Sequence, residues 1–134
     1  MKKITTLTLN PAIDGACEAE AVHHTHKIRT VNERYDPGGG GINVARVVKR
    51  LGGEVDAVYL AGGATGGVLD ALLHRHGIVG TRLDIADHTR VSLAVHERSS
   101  GMEYRFVPEG PLVEAREWEA CLERLAGTEA GGAV

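Results

Sequence analysis

Cysteine is close to absent from these 134 residues: Cys17 and Cys121 stand far apart, with no C-x-x-C spacing. Two isolated thiols exclude a disulfide framework and a thiolate zinc site, and they fit a reducing cytoplasm. Long apolar runs are missing as well. No segment approaches the roughly 18 apolar residues that cross a bilayer. Met1-Lys2-Lys3 followed by Ile4–Leu9 is too short and too broken by threonine to be a signal peptide, so a soluble protein is expected. There is also no basic block. Lys and Arg are scattered and the net charge is −3, which gives no reason to expect nucleic acid as a partner. The histidines at 23, 24, 26, 74 and 76 have no cysteine or carboxylate at ligand spacing, so they read as surface residues and no metal site is expected.

What the chain does have is glycine, in two clusters that each end a strand and open a helix. The first runs Asp36-Pro37-Gly38-Gly39-Gly40-Gly41-Ile42-Asn43-Val44-Ala45-Arg46. Val44, Val47, Val48 and Leu51 follow at i, i+3, i+4 and i+7, the spacing of one buried helix face, with Gly52 at the C′ position. A glycine loop on a helix N-terminus offers free backbone N–H groups and the positive end of the helix dipole, with no Cβ in a ligand's way. An anion or a polyol would suit it. The run matches neither the dinucleotide pattern G-x-G-x-x-G nor the Walker loop, and the second cluster, Gly62-Gly63-Ala64-Thr65-Gly66-Gly67, lacks the Walker lysine because Val68 follows.

The composition, 43% hydrophobic and 25% charged, is that of one globular unit rather than a disordered chain. Ile4–Leu9, Val55–Ala61 and Thr81–Ile85 read as strands. Thr65 reads as the N-cap of a helix with Val68, Leu69, Leu72 and Leu73 inside and Gly77 at its end; Trp118, Cys121, Leu122 and Leu125 repeat helical spacing near the C-terminus. Strand and helix alternation predicts an α/β fold, a parallel sheet covered by helices. Two stretches interrupt it. Val91, Leu93 and Val95 alternate with polar residues, Ser99-Ser100-Gly101 turns, and Tyr104 and Phe106 return, which is a hairpin; residues 15–35, with Ile28 and Val31, supply further strands. The expectation is a core of 1–14, 36–89 and 108–134, with a small β-sheet lid or dimer surface from about 15–35 and 90–107.

Four motifs, Asn10-Pro11-Ala12-Ile13-Asp14, Pro37 to Arg46, Ala61 to Gly66 and Thr89-Arg90, together resemble the N-terminal half of the ribokinase-like (PfkB-type) carbohydrate kinases. The resemblance implies an ATP-dependent sugar-phosphate kinase with substrate-binding residues Asp14, Gly38, Gly39, Gly40, Gly41, Asn43 and Arg90. Asp14 and Asn43 would bond sugar hydroxyls, the glycines would line the pocket with backbone, and Arg90 would rise from the lid to the sugar phosphate. Lys27 and Arg105, in the inserts, are weaker candidates for the same phosphate. The chemistry suits each role: carboxylates accept from hydroxyls, and guanidinium grips phosphate bidentately. Read without the family, Asp14 could fix a turn, Asn43 could cap the glycine helix and Arg90 could be a solvated strand residue.

Family members acting on fructose 1-phosphate or tagatose 6-phosphate carry Gly-Gly-Lys-Gly in the loop, and Gly40 stands in the lysine's place. The four-glycine form is similar to kinases that convert fructose 6-phosphate to fructose 1,6-bisphosphate. In that family the general base, the anion hole and the site for ATP and Mg²⁺ lie well beyond residue 134. The resemblance therefore implies an N-terminal portion, inactive alone, that binds the sugar phosphate and pairs with a second copy through the lid. The alternatives are a 1-phosphofructokinase or tagatose-6-phosphate kinase, and a non-catalytic binding or dimerising fragment; Ala133-Val134 reads as the start of a further strand.

Overall fold

The structure is a computed structural model that describes residues 2–128, so the strand expected at Ala133-Val134 lies outside the described residues. In chain order the elements are β1 (Ile4–Thr8), β2 (Ala12–Ala19), β3 (Thr30–Gly38), α1 (Gly40–Arg50), β4 (Val55–Ala61), α2 (Gly63–Arg75), β5 (Gly80–Asp84), β6 (Arg90–Glu97), β7 (Glu103–Phe106) and α3 (Ala115–Ala126). Two sheets result. One is parallel, in the order β1-β4-β5; the other is mixed, in the order β3-β2-β6-β7. Strand β4, Val-Asp-Ala-Val-Tyr-Leu-Ala, is buried along almost its whole length, as the near-continuous apolar run of a central parallel strand requires. Its one charge, Asp56, is buried and answered: Arg124 of α3 donates to it at 2.6 Å and Thr81 of β5 at 3.1 Å. No helix among the described residues is long and apolar enough to cross a membrane.

The second sheet is the expected lid, but its strands start earlier and end later than the sequence suggests. β2 begins at Ala12 and β3 runs to Gly38, so Asp14 and Asp36 sit inside the lid sheet, paired across it. β2 also pairs with β6 in parallel, from Ala12 opposite Arg90 to Ala19 opposite Glu97. A residue-by-residue hydrophobic pattern does not reveal this pairing, because it joins strands some eighty positions apart.

Three helix faces differ from their spacing. On α1 the buried residues are Ile42 and Ala45, while Val47 and Leu51 are 53% and 79% exposed. α1 packs over β1 and β4, where Ile42 and Ala45 join the core cluster with Ala57 and Tyr59 and Val44 and Val48 are half-buried, while Val47 and Leu51 face away. On α2 the inner stripe is Gly66, Leu69, Leu72 and Leu73, and Val68 faces out. Gly62, not Thr65, is the N-cap; Thr65 lies one turn in. On α3 the buried pair is Glu117 and Cys121, with Trp118 and Leu122 exposed. Glu117 completes a capping box with Glu114, and its other oxygen accepts from Ala86 N at 2.8 Å. A charged residue is inside because it ties the helix to the loop after β5. Cys17 and Cys121 are free thiols buried in separate apolar clusters, and burial pushes the Cys121 thiol above its usual pKa.

The second glycine cluster clasps the segment that leads into β6. Thr89 N donates to Gly62 O at 3.1 Å, Gly62 N to Thr89 Oγ1 at 3.2 Å, and Thr65 Oγ1 to Thr89 O at 2.7 Å. The position of Arg90, the next residue, is thereby tied to the core. A Cβ on Gly62 would lie 2.0 Å from Asp87 O and 2.4 Å from Ile85 O, backbone atoms with nowhere to go. Gly62→Ala is expected to cost about 3 kcal/mol, the upper end of overpacking effects, read as a lower urea midpoint at unchanged slope. A midpoint equal to wild type would show that the clasp yields freely.

Candidate functional site

Successive side chains on a strand point to opposite faces, so register decides which residues share the lid's inner surface. Pairing sets Asp36, Asp14 and Ser92 in one row across β3, β2 and β6. The next row out is Arg34, Ala16, Ala94 and Arg105, spanning all four strands. These residues, with Arg90 and Arg46, line one open cleft of about 410 Å³ between the lid and the start of α1. The opposite face is apolar: Tyr35, Val91, Leu93 and Phe106 are all partly exposed there.

The glycine run is where the cleft's walls touch. A Cβ on Gly38 would fall 2.0 Å from Asp14 Oδ2, so only glycine lets that carboxylate rest against the backbone of β3. Gly39 turns the chain into α1 at φ 120°, a conformation that favours glycine, and it lines the cleft. Gly41 approaches β1 so closely that a Cβ would lie 2.5 Å from Leu7 O. Gly40 differs, since nothing stands within 4 Å of its Cβ position.

Asp14 and Arg90 come together in this cleft. The cleft walls strip solvent from the Asp14 carboxyl and raise its pKa above 3.8, with Asp36 adding to the rise, while the Arg90, Arg105 and Arg46 charges pull it down. Arg90 is no solvated strand residue. Its guanidinium donates to Asn10 O at 3.0 Å and Pro108 O at 3.1 Å, and its buried Nε has no hydrogen-bond partner. Asp14 lies within strand β2 and Gly39 is the N-cap of α1, so neither Asp14 nor Asn43 plays the turn or capping role open to it in the sequence.

Asn43 is exposed on α1 and lines a neighbouring groove with Arg46, Val47 and Arg50 rather than the Asp14 cleft. Arg46 lies between the two; it donates to Pro37 O at 3.2 Å and stands 3.7 Å from Asp36, whose carboxylate is also 3.6 Å from His76 Nε2. Lys27 is exposed on the loop joining β2 to β3 and does not line the cleft. Arg105 does line it. Among the described residues no group of three or more His, Cys, Asp or Glu side chains could hold a metal ion.

Residues 8–128 match the family described as pfkB family carbohydrate kinase. The chain belongs to this family. It is 47% identical over 131 residues to the ATP-dependent 6-phosphofructokinase isozyme 2 of Mycobacterium tuberculosis (strain ATCC 25618 / H37Rv), covering 98% of this chain and 39% of that protein. It is 39% identical to the protein of the same name from Escherichia coli (strain K12), covering 98% and 42%. The crystal structure of phosphofructokinase-2 from Escherichia coli in complex with fructose-6-phosphate superposes with a TM-score of 0.90 at 39% identity, covering 98% of this chain and 44% of that one. The chain thus spans about two fifths of the length of the curated relatives it matches.

Against this pfkB-family background, Arg34, Asp36, Arg46 and Ser92 are cleft residues not among the expected site residues, although Arg46 ends the Pro37-to-Arg46 motif. A signal existed for two of them. Arg34 and Asp36 alternate just ahead of the glycines, which places both on one strand face, but which face that was depended on the register with Asp14.

Because the folded pKa of Asp14 lies above its ordinary value, ionising it weakens the fold as pH rises from about 3.8 through the raised value; below that range the contribution is fully present. A ¹³C titration of the Asp14 carboxyl is expected to show a midpoint above 3.8, shifted down by Asp36→Asn and further up by Arg90→Ala. A midpoint at or below the ordinary value would remove desolvation as the leading cause.

Proposed function

We infer that this chain holds the acceptor of an ATP-dependent sugar-phosphate kinase, and that the acceptor is fructose 6-phosphate, converted to fructose 1,6-bisphosphate. The observation that carries the reading is the cleft, where a carboxylate, exposed glycine backbone and several guanidinium groups from separate stretches meet in about 410 Å³. Asp14 accepts hydrogen bonds from sugar hydroxyls, and the backbone around Gly39 lets the sugar ring come close. Arg105 and Arg90, which both line the cleft, supply the phosphate grip. Asn43 joins from α1 when the sugar spans the edge shared by cleft and groove; Lys27 is too far along the lid for a comparable part within one chain. Gly38 and Gly41 act by letting strands and helix meet, and Gly40 leaves open the space that a lysine fills in kinases for other hexose phosphates.

Holding the acceptor hydroxyl in line with the γ-phosphate of ATP is most of what phosphoryl transfer requires of a protein. This chain contributes the acceptor's half of that alignment; the ATP site, its Mg²⁺ and the general base belong to residues outside it. A cytoplasmic location goes with this metabolic role and with two free, buried thiols. The apolar lid face of Tyr35, Val91, Leu93 and Phe106 pairs with the same face of a second copy.

Coupled assays on the product of the complete reading frame, with fructose 6-phosphate, fructose 1-phosphate and tagatose 6-phosphate side by side, test the substrate. The highest kcat/KM is expected for fructose 6-phosphate, and preference for another sugar overturns the assignment. Arg105→Ala is expected to weaken fructose 6-phosphate binding by about 2 kcal/mol, the scale of a charge-assisted contact, measured by isothermal titration. For the pairing, Phe106→Asp is expected to shift sedimentation from dimer to monomer.

A further inference from the structure

Most arginines near the cleft are already committed. Arg46 is held by Asp36 and Pro37 O, Arg90 by Asn10 O and Pro108 O, and Arg98 by Glu18. Arg34 and Arg105 make no such bond to any described residue, although acids flank them on both sides: Asp36 and Asp14 in the row toward the core, Glu18 and Glu103 in the row toward the tip. They stand at the two ends of one row on β3 and β7, about 14 Å apart across three strand spacings. The residues between them are Ala16 and Ala94, so the floor of that row is bare methyl groups. Two long, fork-ended cations reaching inward over a small-residue floor can close on one compact anion. An anion there lies one row, about 7 Å along the strands, from the Asp14 carboxylate.

We propose that Arg34 is a phosphate-binding and specificity-determining residue, working opposite Arg105 as the second arm of a clamp for the substrate's phosphate. The acid row then takes the hydroxylated part of the substrate and the arginine row its phosphate, so the spacing of two adjacent rows selects phosphorylated polyols over free sugars. This rests on the cleft being the sugar-phosphate site. A solvated lid surface, in which Arg34 merely offsets the nearby carboxylates, has the same composition but binds no anion.

Two titrations on the product of the complete reading frame separate the clamp from the reading beneath it. Fructose 6-phosphate tests that reading, and the absence of binding by wild type ends it. Inorganic phosphate at low ionic strength tests the clamp without any sugar. Its Kd is expected to rise about tenfold or more in Arg34→Gln, to recover in part in Arg34→Lys, and to leave the thermal midpoint unchanged because Arg34 is exposed. For the sugar phosphate, KM is expected to rise with kcat unchanged, the signature of uniform binding lost. Phosphate affinity equal to wild type in Arg34→Gln, or no phosphate binding by wild type, overturns the proposal.

Discussion

The site depends on how closely bare backbone can approach its neighbours at Gly38, Gly39 and Gly41. At Gly38 the Asp14 carboxylate occupies the space a side chain would need, and at Gly41 helix α1 presses on the last residues of β1. Between them Gly39 makes the turn that swings the chain from the lid sheet into α1. A side chain at Gly38 would displace the Asp14 carboxylate, and one at Gly41 would push α1 off β1. The cleft is what remains when those three elements are brought together without side chains between them.

From that junction the lid sheet extends as a two-faced object. Alternation puts acids and arginines on the face toward the cleft and Tyr35, Leu93 and Phe106 on the other. The parallel pairing of β2 with β6 is essential to this arrangement, because it sets Asp14 beside Ser92 and brings Arg105 to the same surface through the β6–β7 hairpin. The clasp of Gly62, Thr65 and Thr89 anchors β6 to the parallel sheet, so the lid is attached to the core at both its glycine clusters. Two clusters with no phosphate-loop lysine thus serve one assembly, one as its junction and the other as the root of the strand carrying Arg90.

Helix positions were readable and helix faces only in part: Leu69, Leu72 and Leu73 on α2 and Cys121 on α3 are buried as the spacing placed them. Gly52 and Gly77, both at positive φ just past α1 and α2, closed the helices where the spacing placed them. The inward residues shifted because burial depends on what lies beneath. On α1 it is Ile42 and Ala45 that join the core cluster and not Val47, and a buried carboxylate, Glu117, outranks Trp118 on α3 because it has backbone N–H groups to accept from. Among candidate site residues, Asp14, Gly39, Arg90 and Arg105 share the cleft, whereas Asn43 faces the adjoining groove and Lys27 the lid's distal loop.

By itself the amino-acid sequence determined the α/β alternation, the two glycine clusters, the turn glycines and the family, since each rests on local spacing or on motifs short enough to be read in one stretch. Only the tertiary structure decided which side chains face the cleft. That choice follows from strand register, and a slip of one residue would exchange the charged face for the apolar one. Register is set by the pairing of segments distant in the chain, and no local pattern carries it.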